Sequence, residues 1–215
     1  QNSFVLTQTL TGTSADGSSL NTNFGEAIAM SKDGTTLIIG APGVDQLLQA
    51  DGGAVYYYKW NVDGSTNTFT LKQTLNTPDT GVNMKFGSTV TTNNDGNRIM
   101  IGAENFSNAV ELRFDSGATT FDLQDTLFVD ENKGSGAAYT ATKYNTKFVI
   151  DDKLSSSSVS ENDDFGRGLC ITDHGVFVGA PDDNGNISSD GSTKVQNDGT
   201  VQNYDLKTVG QFAWK

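Results

Sequence analysis

One phrase returns three times along the chain, and it constrains the fold more than any other feature. It runs from Phe24-Gly25 to Gly40-Ala41-Pro42, from Phe86-Gly87 to Gly102-Ala103, and from Phe165-Gly166 to Gly179-Ala180-Pro181. The interval from phenylalanine to turn glycine is ten residues in every copy: Phe24 to Gly34, Phe86 to Gly96, Phe165 to Gly175. From there to the next motif glycine is six residues in two copies (Gly34 to Gly40, Gly96 to Gly102) and four in the third (Gly175 to Gly179). The Phe-Gly pairs recur after 62 and then 79 residues. Periods of this size belong to propellers, solenoids and arrays of one small unit.

Two further phrases keep a fixed place in each unit. One is Phe4-Val5-Leu6-Thr7-Gln8-Thr9-Leu10, repeated as Phe69-Thr70-Leu71-Lys72-Gln73-Thr74-Leu75 and more loosely as Phe148-Val149-Ile150-Asp151-Asp152-Lys153-Leu154. The other is Gly53-Ala54-Val55-Tyr56-Tyr57-Tyr58, echoed by Gly136-Ala137-Ala138-Tyr139 and more weakly by Gly199-Thr200-Val201-Gln202-Asn203-Tyr204. Each unit therefore carries four β-type segments in one order. Phe4, Leu6 and Gln8 alternate with Val5, Thr7 and Thr9, the period of a strand. Asp33-Gly34 and Asp95-Gly96 separate two apolar runs, a strong hairpin signal; His174-Gly175 fills the same slot in the third copy. No stretch combines a helical apolar period with start and stop signals.

These residues resemble the FG-GAP repeat, the blade of integrin α-subunit β-propellers and of bacterial, algal and viral relatives. The resemblance covers almost the whole chain; its second copy departs from the pattern with Glu104 where proline would stand. It implies an all-β, propeller-like fold of about three four-stranded antiparallel blades plus one extra outer strand. The Phe-Gly segments would lie innermost, where small residues such as Ala27, Ala29, Thr89, Thr91, Gly168 and Cys170 suit the crowded axis. The expected organisation is one domain over residues 1–215: an outer strand at 4–10, then blades at 24–75, 86–154 and 165–215. The second blade would carry an inserted hairpin at 104–130, read as a contact element because Val110, Leu112, Phe114 and Phe121 are costly to expose. Integrin-type blades often carry an aspartate-rich calcium loop between their first two strands. Here that connection is only Ser31-Lys32-Asp33-Gly34, Asn93-Asn94-Asp95-Gly96 and Thr172-Asp173-His174-Gly175. A calcium cage needs six to eight oxygens, so no calcium site is carried over to these turns.

Composition narrows the function classes. The net charge is −12, which argues against nucleic-acid partners, since phosphate binding needs clustered Lys and Arg. No apolar run is long enough for membrane insertion. The single cysteine, Cys170, excludes an internal disulfide and is expected to be a buried, inert thiol. Gln1 in place of an initiator Met suggests a processed product or a piece of a longer chain.

No catalytic set emerges. The only histidine, His174, occupies a hairpin turn. Ser31-x-Asp33-Gly34 resembles a sialidase Asp box, but its glycine comes one residue early and the motif's Trp is absent. The pairs Asp151-Asp152, Asp163-Asp164 and Asp182-Asp183 read as solvated turn residues rather than a glycosidase pair. The metal candidate is the oxygen-rich run Asp182, Asp183, Asn184 and Asn186, with Asp190 beyond it; its composition suits calcium and its spacing is not that of an EF-hand. Sequons mark Asn105 and Asn186 as candidate glycosylation sites.

Three blades leave open edges, which must be covered. The chain could be part of a longer propeller, several copies could close a ring, or the spare first strand could pair with a neighbour in a filament. The functional expectation is a non-enzymatic extracellular structural or adhesive module, secreted or on a cell or virion surface. Its partners would be other protein subunits, itself among them, or glycans. The alternative is a lectin or an accessory propeller domain of a larger secreted protein or enzyme.

Overall fold

A computed structural model of the chain describes residues 3–12, 21–46, 50–63, 66–79, 81, 83–107, 134–156, 162–172, 175–183 and 199–205. Among these the fold is all-β, with eleven strands and no helix; hence no helix is long and apolar enough to cross a membrane. The strands form three antiparallel sheets. The first contains β1 (Ala27–Met30), β2 (Thr36–Ala41), β3 (Ala54–Asp63) and β4 (Thr66–Asn76) in that order. The second contains β5 (Phe86–Thr92), β6 (Arg98–Ala103), β7 (Ala137–Tyr144) and β8 (Lys147–Leu154), again in chain order. The third joins β9 (Gly168–Ile171), β10 (Gly175–Ala180) and β11 (Thr200–Asp205), with β10 central.

The repeat holds at the level of register. Val55 faces Leu75 across β3 and β4, and Ala138 faces Leu154 across β7 and β8. Both pairs of strands shift register at the same place, between Tyr57 and Tyr58 and between Thr140 and Ala141. β2 is buried at all six positions. It does not alternate because each of its faces meets other parts of the chain, as expected of a strand covered on both sides.

The sheets stack through two apolar joints. At the first, Ile38, Val55, Tyr57 and Leu75 of the first sheet meet Phe86, Ile99, Ile101, Tyr139 and Phe148 of the second. At the second, Met100, Ala138 and Leu154 meet Phe165, Val176 and Val178 of the third. Isolated parallel bridges, Gly53 to Phe86 and Gly136 to Phe165, stitch each sheet to the phenylalanine of the next. Each Phe-Gly motif is a turn with three left-handed residues. They are Asn21, Asn23 and Gly25 (φ 56°, 50° and 94°), then Asn83, Lys85 and Gly87 (57°, 58° and 94°), then Asn162, Asp164 and Gly166 (60°, 51° and 99°). Asparagine and aspartate tolerate that region better than other L-residues.

Residues 4–10, expected as an outer strand pairing within the chain or with a neighbour, join no ladder among the described residues. Other expectations are corrected. Cys170 is exposed, not buried, because β9 belongs to the last described sheet and its outward side meets no further strand among the described residues. Asp163 and Asp183 are fully buried rather than solvated. Asp183 stands where Val44 and Phe106 plug the other two sheets, each with its N–H donated to the alanine carbonyl three residues back. Asp151 and Asp152 lie on β8 rather than in a turn. His174, Asn184, Asn186, Asp190, residues 108–130 of the expected inserted hairpin, and Phe212-Ala213-Trp214-Lys215, expected as the short outer strand of the third blade, lie outside the described residues.

Candidate assembly surface

The Gln-Thr-Leu phrase supplies a clamp. Gln73, on β4, spans the backbone of Phe148 on β8: its Nε2 donates to Phe148 O at 2.8 Å and its Oε1 accepts from Phe148 N–H at 2.7 Å. Gln8 does the same to Phe69 on β4, at 2.9 and 2.8 Å. Residues 3–12 therefore sit against the first sheet as β4 sits against the second. Leu10 reinforces this by packing with Phe24 and Phe69 on the core of the first sheet, and Tyr58 OH donates to Thr11 O at 3.4 Å. The counterpart of Gln73 in the next unit is Asp152, since the former faces Tyr57 and the latter Thr140. A carboxylate has no N–H to donate, so the clamp is not repeated by Asp152.

The two internal joints define what each sheet buries on either side, and the ends of the stack depart from that pattern. Ile38 and Val55, and likewise Met100 and Ala138, are fully buried because the next sheet covers them. Their counterparts on the third sheet, Phe177 and Val201, are 41% and 72% exposed. At the other end, Val90, Leu169 and Ile171 pack against the preceding sheet, whereas their counterparts Ile28 and Met30 are exposed. Phe4, Val5 and Leu6 are exposed beside this end. Bare apolar residues of this number on two matching faces exceed the scattered singles normal for a surface.

The glycines at the joints say the same in backbone terms. A Cβ on Gly40 would lie 2.0 Å from Gly87 O, and one on Gly102 would lie 2.3 Å from Gly166 O. Neither joint could close around a side chain. The third counterpart, Gly179, has nothing closer than its own neighbour Gly168, at 3.6 Å. A Cβ on Gly25, the counterpart of Gly87 and Gly166, would have nothing within 4 Å.

Polar side chains near these elements serve the turns and the joints. Asp33 accepts from Ser31 Oγ at 2.5 Å, from Thr35 N–H at 3.0 Å and from Thr35 Oγ1 at 2.8 Å. The Ser31-x-Asp33-Gly34 run is thus a self-capped hairpin turn. These bonds, Ser31's first, pull the Asp33 carboxyl down to about 2 from its ordinary 3.8. Stability from this turn is therefore present above pH 3.8 and is lost as pH falls through about 2. An NMR titration of Asp33 is expected to show a midpoint near pH 2, rising toward the ordinary value in Ser31→Ala. Tyr139 OH donates to Asp79 Oδ2 at 2.6 Å, and Lys153 Nζ pairs with the same carboxylate at 3.2 Å. Burial and this carboxylate push the Tyr139 phenol well above its usual range.

Of the metal candidates, Asp182 and Asp183 are described. Asp183 Oδ2 accepts from Thr200 Oγ1 at 2.7 Å; Asp182 Oδ2 lies 4.0 Å from Arg167 Nη1, which also pairs with Asp164 at 2.9 Å. Burial, and then the charge of Asp164, raises the Glu104 carboxyl. Among the described residues no group of three or more His, Cys, Asp or Glu is gathered as a metal site would require. Asn105 is half-buried on the turn after β6, and the next residue of its sequon, Phe106, is buried in the first joint.

Sequence reading missed the two glutamine clamps and the asparagine that stands three residues before every motif phenylalanine: Asn21, Asn83 and Asn162. Both were visible as matched positions across the copies. No protein-family model matches the chain, and no curated protein matches it.

Proposed function

We propose that the chain is a non-enzymatic structural and adhesive module of the FG-GAP kind, a propeller-like stack of three blades whose end faces hold protein subunits together outside the cell or on a virion surface. One observation carries this reading: one end of the stack exposes Phe177 and Val201, at positions that both internal joints bury, and the other exposes Ile28 and Met30, at positions that are partly buried in the internal joints. Open edges of this kind are liabilities in a monomer and assets in an assembly. The exposed Phe4-Val5-Leu6 segment lies outside every described strand and alternates with the period of a strand in sequence, which suits β-augmentation.

The deciding measurement is native mass together with electron microscopy of the material as isolated. The expected result is a particle larger than one 22.9 kDa chain that dissociates on dilution or in mild denaturant. A monodisperse monomer at all concentrations would refute the assembly reading. If that monomer also bound sugars on a glycan array, the module would be a lectin or a carbohydrate-binding accessory domain.

A further inference from the structure

We infer that the partner at these ends is a second copy of the same chain, docked head to tail in one register. This rests on the assembly reading above and names its surface. The third sheet of one copy takes the place before the first sheet of the other. Residues 4–10 of that second copy pair beside β11, which has no fourth strand among the described residues.

Equivalence of position across the joints leads to this pairing. Each internal joint has an earlier half and a later half. The earlier halves are Ile38, Val55 and Leu75 at the first joint and Met100, Ala138 and Leu154 at the second. The later halves are built around Phe86, Ile99 and Ile101, then Phe165, Val176 and Val178. The core of the first sheet contains a third later half, Phe24, Leu37 and Ile39, and beside it, among the described residues, one member of an earlier half, Leu10. The members still wanted are the counterparts of Ile38 and Val55. They exist once among the described residues without a cover, as Phe177 and Val201. Residues 4–10 match the outer strand of a blade, and β9, β10 and β11 match the three strands inside it.

Register follows from the two complete sheets. Val55 faces Leu75 and Tyr57 faces Gln73; Ala138 faces Leu154 and Thr140 faces Asp152. By the same spacing, Val201 faces Leu10 of the second copy and Asn203 faces its Gln8. The parallel bridge from Gly53 to Phe86 and from Gly136 to Phe165 recurs from Gly199 to Phe24 of the second copy. Gly179 takes Gly25 at the distance that only paired glycines allow, as Gly40 takes Gly87. Gln8 keeps its clamp on its own Phe69, so the added strand ties the two copies as β4 ties the first sheet to the second. Such a contact is heterologous. Two copies would supply six blades, within the four to eight of closed propellers; a joint that does not close would propagate as a filament.

The test uses two full-length chains in a Cys170→Ser background, one carrying Leu10→Cys and the other Val201→Cys. Directly opposed residues in an antiparallel pair lie within disulfide reach. Mild oxidation of the mixture is expected to give a covalent dimer well above the yield of either chain alone. A single chain carrying both substitutions is expected to give a dimer or a longer ladder. In a separate arm Phe177→Asp with Val201→Asp, both at exposed positions, is expected to keep the β-sheet circular dichroism and lower the native mass to that of one chain. The native thiol gives a third readout. Cys170 is the counterpart of Ala29, which packs at the first joint, so it is expected to react with a maleimide in dissociated chains and to be protected in the particle.

Absence of cross-linking above the single-chain controls, with native particles still larger than one chain, would overturn this register while leaving the assembly reading standing. The register fails equally if the double variant gives only an intramolecular bond, or if Phe177→Asp with Val201→Asp assembles normally. Native material that is monomeric throughout would instead overturn the assembly reading itself.

Discussion

Phe86→Ala is expected to cost about 3–5 kcal/mol of folding free energy, the range for deleting a fully buried aromatic ring. At roughly 2–4 °C per kcal/mol for a chain of this length, that lowers the melting temperature by about 6–20 °C. Phe86 is fully buried in the first joint and meets Tyr139 edge to face, with centroids 5.2 Å apart. Alanine there would leave a cavity between two sheets held rigid by their own ladders, with little room to collapse. Phe24 repeats the contact, meeting Tyr56 edge to face at 5.2 Å, but it is only half-buried: Leu10 packs beside it, and among the described residues no further sheet covers that side. In the dissociated chain, Phe24→Ala should therefore cost about half as much or less, in keeping with the smaller area removed from water. Equilibrium unfolding in denaturant at a concentration where the chain is monomeric checks both variants. Equal losses would mean that the first sheet's end face and the internal joint do not differ as described.

The contrast between these two phenylalanines marks what could be read from sequence. The repeat placed Phe24, Phe86 and Phe165 in one column, and the structure gives Phe86 and Phe165 the same burial. The Asp-Gly hairpins were legible because a left-handed turn position favours glycine; Gly34 and Gly96 have positive φ, each within a four-residue connection closed by Ser31 N–H on Thr36 O or Asn93 N–H on Arg98 O. What could not be read is which face of which copy is covered, since that depends on whether another sheet follows. Cys170 shares its column with Ala29 and Thr91, yet it is exposed because it lies beside the uncovered Phe177.

The acidic residues failed for a related reason. Asp163 and Asp183 look like surface turn residues by composition. Their columns are Thr22 and Met84 for the first, Val44 and Phe106 for the second, all buried. Reading across the copies, rather than along the chain, would have found them. The same holds for the candidate assembly surface. Gln8 and Gln73 were visible as a repeated letter inside a strand-like phrase, but sequence periodicity says only which way a side chain points. That an amide should bridge the backbone of the next sheet, binding both N–H and C=O, is a tertiary fact.

Gly53→Ala and Gly136→Ala are expected to be the most damaging small substitutions in the chain, each costing more than about 4 kcal/mol, a loss that single substitutions seldom reach. Gly53 has φ 84° and Gly136 has φ 77°, so an L-residue at either is strained by about 1–2 kcal/mol. The new methyl would also lie 2.1 Å from Phe86 O in one case and 2.1 Å from Phe165 O in the other. Both obstacles are backbone carbonyls on the bridge between sheets, so no rotamer change relieves them; the joint must open. Gly25 separates the two components. Its φ is 94° and nothing lies within 4 Å of its added Cβ, so Gly25→Val should show the strain alone, about 1–2 kcal/mol, in the dissociated chain. Its counterpart Gly166 would place a Cβ 2.4 Å from Ala137 O of the preceding sheet. If a second copy occupies that place, its Thr200 carbonyl takes the position of Ala137 O. Gly25→Val should then leave a folded chain that no longer enters the particle. Unfolding midpoints and native mass, measured on the same preparations, separate the outcomes: a large stability loss from Gly25→Val in the monomer, or normal assembly of that variant, would each contradict the arrangement of the end faces.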